Sequence, residues 1–101
     1  MYVVLKGPYT IITTPDGEQW INTSGNAALA KGGSGDVLTG IILGFLLQHK
    51  SVHEALCNAV YVHGRTADKL IEKADSLSVV ATDLIEALPI VLRSTRYERM
   101  I

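Results

Sequence analysis

Five residues about a third of the way along the chain, Gly32-Gly33-Ser34-Gly35-Asp36, combine three glycines with a carboxylate just before an apolar run. Glycines let the backbone turn tightly and bring its N–H groups close to a ligand. The apolar run 37–47 follows at once and predicts a buried helix. Because a helix N-terminus carries unpaired N–H donors and a partial positive charge, this junction is predicted to bind an anion such as phosphate.

Asp36 is the unexpected member of this group, because a carboxylate repels a neighbouring phosphate. The repulsion is removed if a metal ion lies between them, and it is tolerated if the carboxylate takes part in chemistry. A simpler interpretation is that Asp36 caps the helix, since aspartate is among the best N-cap residues. Both interpretations remain open from the residues alone.

Lys6 is a second candidate for binding phosphate. It follows the apolar run 2–5, which is typical of a strand buried on both faces of a parallel sheet. Ligands gather at the carboxyl ends of such strands, so Lys6 would offer a point charge there; otherwise it is an exposed lysine at a strand end. The nucleotide-binding motif G-x-x-x-x-G-K-[ST] does not occur in the sequence. The dinucleotide-binding motif G-x-G-x-x-G is also absent, because Leu38 stands where its last glycine would be.

The remaining reactive side chains do not form a recognisable site. His49 and His53 have helical spacing, but no third ligand or H-E-x-x-H pattern accompanies them. His63 lies in an apolar helical stretch and is predicted to be a packed, hydrogen-bonded core residue. The single cysteine, Cys57, is predicted to be a small buried hydrophobic residue with no histidine partner. Because one cysteine cannot form a disulfide within the chain, the composition is typical of a protein in a reducing compartment.

Composition narrows the class of protein. The 101 residues are enough for one domain with a core, and 48% are hydrophobic. A net charge of -1 gives no general attraction to nucleic acid or to an anionic membrane. The apolar run is shorter than the roughly 20 residues of a membrane span. We therefore expect a cytoplasmic protein that binds neither nucleic acid nor membrane.

The elements that would position these residues can be predicted from turn signals. Segments 10–13 and 19–22 have strand character, and the turn Pro15-Asp16-Gly17 between them indicates a β-hairpin. A loop of small residues over 22–35 is either flexible or shaped for a ligand to approach its backbone. A first helix is predicted over 37–49.

Two further helices are expected. Ser51 and Glu54 form a capping box that begins the second helix. Thr82 or Asp83 is expected to cap the third, and Pro89 is predicted to break or restart it. Nearly everything after the glycine-rich junction is thus predicted to be helical.

Taken together, these segments resemble the C-terminal half of the ADP/ATP-dependent NAD(P)H-hydrate dehydratases of the ribokinase-like superfamily. The resemblance covers nearly the whole chain and rests on segments 5–10, 15–17, 25–40, 61–64 and 81–85 with Pro89. It implies an α/β chain, the C-terminal part of a ribokinase-like three-layer αβα fold: a short strand region with a β-hairpin, followed by helices. Residues 1–101 would be one portion of a single domain whose N-terminal half is absent.

The resemblance also implies a reaction and a set of partners. ADP, or ATP, would phosphorylate the added hydroxyl of (6S)-NADHX or (6S)-NADPHX, and loss of phosphate would regenerate NAD(P)H. Mg²⁺ is the expected cofactor, and homo-oligomers, often tetramers, are expected.

By the same resemblance, the site residues have distinct roles. The residues implied to contact the adenosine phosphate are Lys6, Gly7, Pro8, Tyr9, Thr10 and Gly35. The backbone N–H groups of Gly33, Ser34 and Gly35 would stabilise charge on the transferred phosphoryl group. Asp36 would contact the hydrated nicotinamide nucleotide and act as general base, or help to hold Mg²⁺.

Two alternatives remain at this point. A ribokinase-like small-molecule kinase would release its phosphorylated substrate instead of eliminating phosphate. A non-catalytic chain would bind nucleotide or oligomerise without turnover, and the predicted open edge of the first strand favours it.

Overall fold

A computed structural model describes residues 1–7, 9–30 and 33–100, with side chains as far as residue 95. In chain order its elements are β1 (Val3–Leu5), β2 (Thr10–Thr13), β3 (Gln19–Asn22), a short 3₁₀ helix (Ala27–Ala30), α1 (Ser34–Gln48), α2 (Val52–Leu70) and α3 (Ala81–Met100). The prediction of an α/β chain with strands first and helices after them is confirmed. No helix in the described part of the chain combines the length and apolar character needed to cross a bilayer.

The predicted hairpin joins β2 to β3. Thr13 pairs with Gln19, and the N–H of Gly17 donates to the carbonyl of Thr14 at 3.0 Å. Gly17 has a φ of 91°, a conformation that glycine adopts without strain. The Thr14 hydroxyl donates to the Asp16 carboxylate, and this bond lowers the pKa of Asp16. The turn prediction is therefore confirmed.

The prediction for the first strand is wrong. β1 pairs antiparallel with β2, with Val4 opposite Ile12, and the sheet order is β1-β2-β3. Val3 and Leu5 are exposed, so the strand is not buried on both faces. Only residues 6–9 separate the two strands, whereas a parallel pair needs a crossover of a dozen or more residues.

The helices differ from expectation mainly at their ends. α1 begins three residues earlier than predicted, at Ser34. The Ser51 hydroxyl accepts from the Glu54 N–H at 3.3 Å, which confirms the cap of α2. The Asp83 carboxylate accepts from the N–H of Val80 at 2.9 Å, so Asp83 caps α3 from within its first turn.

Pro89 does not interrupt α3, and the prediction of a break is wrong. A proline removes one backbone donor, but its fixed φ is compatible with a helix. Leu84 and Val91, on either side of it, are 2% and 3% exposed. Their burial holds the two halves of α3 in place.

Among the described residues, the core consists of two clusters that share α2. One joins the sheet to α1 and α2, and its buried members are Ile12, Leu38, Leu56 and Val60. The other joins the 3₁₀ helix and α3 to α2, and its buried members are Ala28, Ala67, Val79 and Leu84. Because α2 contributes to both, it is the element against which the candidate site is built.

Candidate functional site

The glycine-rich junction forms the N-terminus of α1. Gly33 is the N-cap and has a φ of 89°, which L side chains rarely adopt, so glycine is required there. The Ser34 hydroxyl turns into the protein and donates to the carbonyl of Leu29 at 2.6 Å. Because intrahelical bonding begins only after the first turn, the leading amides of α1 have no intrahelical acceptor. The junction therefore offers backbone donors to an anion.

Lys6 lies against this helix terminus. A Cβ built on Gly35 would be 3.1 Å from Lys6 Nζ. The ammonium group and the partial positive charge of the helix end thus lie together, and both favour an anion. The structure brings together two candidates that the sequence places far apart.

A cavity of ≈ 450 Å³ opens beside Lys6. Gly7 and Thr10 line it from the sheet side, and His63 lines it from α2. Tyr9 is 60% exposed and lies outside the lining, as do Gly33, Ser34 and Gly35. Pro8, also predicted to contact the nucleotide, lies outside the described residues.

The opposite wall of this cavity is the loop after β3, part of the small-residue segment 22–35 whose sequence leaves open either flexibility or a shape that a ligand can approach. Asp68 of α2 accepts from the Gly25 N–H at 3.1 Å and from the Asn26 side-chain amide at 2.9 Å. The Ser24 hydroxyl donates to the carbonyl of Tyr61 at 3.1 Å. The loop is thus pinned to α2. Its run of small residues is a signal of close backbone packing, but the partners on α2 are too distant in the sequence to identify.

Gly64 makes this close contact possible. A Cβ there would lie 2.0 Å from Ser24 Oγ and 2.6 Å from the Ser24 carbonyl carbon. Gly25 has a φ of 105°, so the loop also requires glycine on its own side. Two glycines, one in each segment, set the distance between the loop and α2.

Asp36 faces a different space. It lines an open, largely apolar groove of ≈ 690 Å³ that α1, α2 and α3 enclose, together with Gly40 and Ile85. It is the third residue of α1 and makes no capping hydrogen bond, because the N-cap is Gly33. The interpretation of Asp36 as an N-cap is therefore wrong. Its charge is favourable in the first turn of a helix.

The residues at this junction suit a magnesium–nucleotide complex. Mg²⁺ is usually held by one or two carboxylates and by substrate phosphates, and it retains several waters. Asp36 offers such a carboxylate one residue from Gly35, beside which Lys6 lies. Within the described residues, no cluster of three or more His, Cys, Asp or Glu side chains forms a protein-only metal site.

His63 is a buried core histidine, as predicted. Its Nε2 lies 3.0 Å from the carbonyl oxygen of Ser34, in the first turn of α1. Burial lowers the pKa of His63, the bond to Ser34 opposes this shift, and the charge of Lys6 adds to it. The imidazole is therefore held in its neutral form at neutral pH.

The other histidines and the cysteine serve packing. Cys57 packs against the cluster of Ile12, as predicted, and burial raises the pKa of its thiol. The expectation that it has no histidine partner is wrong, because Sγ lies 3.8 Å from Nε2 of His53, one helical turn earlier. His49 ends α1 and contacts Asn58, so the predicted break separates it from His53.

Comparison with known proteins identifies relatives of this arrangement. The family model described as NAD(P)H-hydrate dehydratase matches residues 1–90. The ADP-dependent (S)-NAD(P)H-hydrate dehydratase of Bacillus subtilis is 47% identical over 87 residues, which are 86% of this chain and 32% of that protein. The Neisseria meningitidis protein of the same name is 51% identical over 72 residues, which are 71% of this chain and 24% of that protein.

Solved structures agree with the sequence relatives. The B. subtilis ADP/ATP-dependent NAD(P)H-hydrate dehydratase co-crystallized with ATP/Mg²⁺ matches with a TM-score of 0.90 and 45% identity, over 92% of this chain and 34% of that one. A ribokinase-like superfamily protein from Enterococcus faecalis matches with a TM-score of 0.81 and 40% identity, over 92% of this chain and 32% of that one. The ribokinase-like fold prediction is confirmed, and the chain spans about a quarter to a third of the length of these relatives.

Proposed function

Because the chain belongs to the NAD(P)H-hydrate dehydratase family, we propose that it carries the phosphate-binding and proton-accepting part of an ADP- or ATP-dependent dehydratase. The substrates would be (6S)-NADHX and (6S)-NADPHX, and the product NAD(P)H. One observation carries the proposal: Lys6 Nζ lies beside Gly35 at the N-terminus of α1, and the next residue is the carboxylate Asp36. Residues 1–101 would form part of a single ribokinase-like domain.

The geometry fits phosphoryl transfer followed by elimination. The nucleotide phosphates would lie at the α1 terminus, where Lys6 and the amides of Gly33 to Gly35 neutralise their charge. Asp36 would take the proton from the substrate hydroxyl as its oxygen attacks the terminal phosphoryl group of ADP, which leaves AMP. The phosphate then departs from the substrate carbon, a proton is lost to solvent from the neighbouring ring carbon as the double bond forms, and NAD(P)H is regenerated.

Mg²⁺ would be held by Asp36 together with the nucleotide phosphates. When bound, it would offset the negative charge of the phosphates as the phosphoryl group moves. Lys6 and the backbone N–H groups at the start of α1 would stabilise the same negative charge of the phosphates. The finding that a B. subtilis relative was co-crystallized with ATP/Mg²⁺ supports this choice of metal.

Self-association in the cytoplasm is a further part of the proposal. Leu5, Trp20 and Ile21 of the sheet are 62%, 48% and 63% exposed, and β1 is an edge strand. Exposed apolar strands at a sheet edge favour pairing with another chain. Sedimentation across a concentration series would show a mass that rises with concentration, and a constant monomer mass would contradict this part.

The substitution Asp36→Asn tests the catalytic assignment. The asparagine side chain would keep the size of the original one but could not accept a proton, so turnover of NADHX with ADP should fall about 10²–10⁴-fold. Nucleotide affinity should hold or rise, because a negative charge near the phosphates is removed. The assay follows the absorbance of the NADH formed by the complete domain, that is, this chain together with the remainder of the ribokinase-like domain.

Two controls accompany this test. Glu86→Gln neutralises an exposed carboxylate on α3 and should leave turnover unchanged. Phosphorus NMR of the products distinguishes the kinase alternative, since a stable phosphoester would accumulate instead of free phosphate. Wild-type turnover in a folded Asp36→Asn protein would falsify the role of Asp36 as general base.

A further inference from the structure

His63 makes a contact that packing alone does not require. It is 3% exposed, and its Nε2 lies 3.0 Å from the carbonyl oxygen of Ser34, 29 positions away in the sequence. A carbonyl oxygen can only accept a hydrogen bond, so Nε2 carries the proton and the neutral ring is the Nε2–H tautomer. A side chain of α2 thus donates to the first turn of α1.

The acceptor of this bond is part of the anion-binding backbone. The carbonyl of Ser34 and the N–H of Gly35 belong to the same peptide group. A hydrogen bond to the carbonyl polarises that group and makes its N–H a better donor, and the effect is larger in a buried site of low dielectric. The ammonium group of Lys6 lies beside Gly35. The polarised amide is therefore at the position where the negative charge of a bound anion is expected.

Lys6 also affects the protonation state of the His63 imidazole. Its positive charge and the burial of the ring both disfavour the imidazolium form of His63. His63 can therefore act as a neutral donor, without adding a third positive charge to a site that already has Lys6 and the helix terminus.

We propose that His63 is a positioning residue that orients and polarises the Ser34–Gly35 peptide for the phosphate of a nucleotide. This inference rests on the proposed function, because the anion is the phosphate of ADP or ATP. His63 itself does not touch the substrate; it acts through the backbone of α1.

The test compares two substitutions at this position. His63→Leu keeps an apolar side chain of similar reach but has no donor, and ADP affinity measured by calorimetry should fall about fivefold. His63→Gln places an amide donor near the position of Nε2, and affinity should remain within about twofold of wild type. Thr66→Val is the matched control, because Thr66 is buried on the same helix and its hydroxyl donates within that helix, to the carbonyl of Val62.

The outcomes separate this inference from the proposed function. If the wild-type protein does not bind ADP, the proposed function fails. If it binds ADP and a folded His63→Leu protein binds equally well, or His63→Gln is as weak as His63→Leu, only the positioning role is overturned. Nitrogen NMR of the imidazole adds a test that needs no variant: a proton on Nδ1 alone would also overturn it.

Discussion

Lys6 Nζ lies 3.1 Å from the point where a Cβ of residue 35 would stand, so the ammonium group occupies the space that glycine leaves at the start of α1. Gly35 has an ordinary helical conformation, and Gly33, not Gly35, has the positive φ. The constraint at position 35 is therefore the space beside Lys6, because the flexible end of the lysine would have to shift to admit a side chain. This relationship between two residues defines the candidate phosphate site more directly than the glycine-rich sequence does.

Gly35→Val should weaken ADP binding at least tenfold, or about 1.4 kcal/mol. The branched side chain would displace the Lys6 ammonium and cover the amides of the first turn. Calorimetric titration with ADP measures the change. Gly44→Val is the matched control in the same helix, because a Cβ there meets nothing within 4 Å. An unchanged affinity in a folded Gly35→Val protein would reduce the junction to a simple turn.

Gly64→Ala should destabilise the protein by about 1–3 kcal/mol, because the new methyl group overlaps Ser24. Chemical denaturation measures the loss. Ser24→Gly in the same protein should restore only part of it, since the clash with the Ser24 carbonyl carbon at 2.6 Å remains. Gly40→Ala, in open space on α1, should instead be neutral or stabilising. Equal stability of the Gly64→Ala and Gly40→Ala proteins would contradict the close packing of the loop on α2.

The stability of the protein should fall in mild acid through His63. Its folded pKa is lowered below the ordinary value of 6.5, mainly by burial, so the unfolded chain binds the proton more readily. The contribution of His63 to the free energy of unfolding is fully present above pH 6.5 and is lost as the pH falls from there through the folded pKa of the imidazole. Denaturant titrations at a series of pH values measure it. The His63→Gln protein should show a shallower decline below pH 6.5, and parallel curves for the two proteins would contradict the assignment.

Pro89→Ala should raise the free energy of unfolding by about 1–3 kcal/mol. Alanine restores a backbone donor to the interior of α3 and so stabilises the folded state. This stabilisation exceeds the opposing effect of the larger conformational entropy that alanine gives the unfolded chain. Thermal unfolding followed by circular dichroism gives the change in Tm. Ile90→Ala, at an exposed neighbouring position, should change stability by less than about 0.5 kcal/mol. A lower Tm for Pro89→Ala would mean that the proline conformation is itself required.

Local chemistry explains what could be predicted from the sequence. The hairpin turn around Gly17 and the cap formed by Ser51 and Glu54 depend on residues a few positions apart, and both are present in the structure. The prediction for the first strand is wrong because its apolar character does not specify its partner. The short connection between β1 and β2 decides their pairing.

The site was predictable in part for the same reason. Lys6 and Gly35 were each recognisable from their neighbours, but their proximity depends on the tertiary fold. The bonds from Asp68 to Gly25 and from His63 to Ser34 join segments that no local pattern relates. The cap role of Asp36 failed because the helix already begins at its N-cap Gly33, earlier in the chain.

The anchoring of the Gly25 segment and of the start of α1 to the same helix, α2, has a dynamic consequence. The Gly25 segment is held by Asp68, and the start of α1 is held by His63, so one rigid helix fixes both. Thermal displacements of these two segments should then be correlated, and the distance between them should fluctuate less than the position of either segment. The hydrogen-bonded amides of Gly25 and of Val37, which donate to Asp68 and to the Gly33 carbonyl, should accordingly exchange with solvent through a common opening, whose rate follows the detachment of α2.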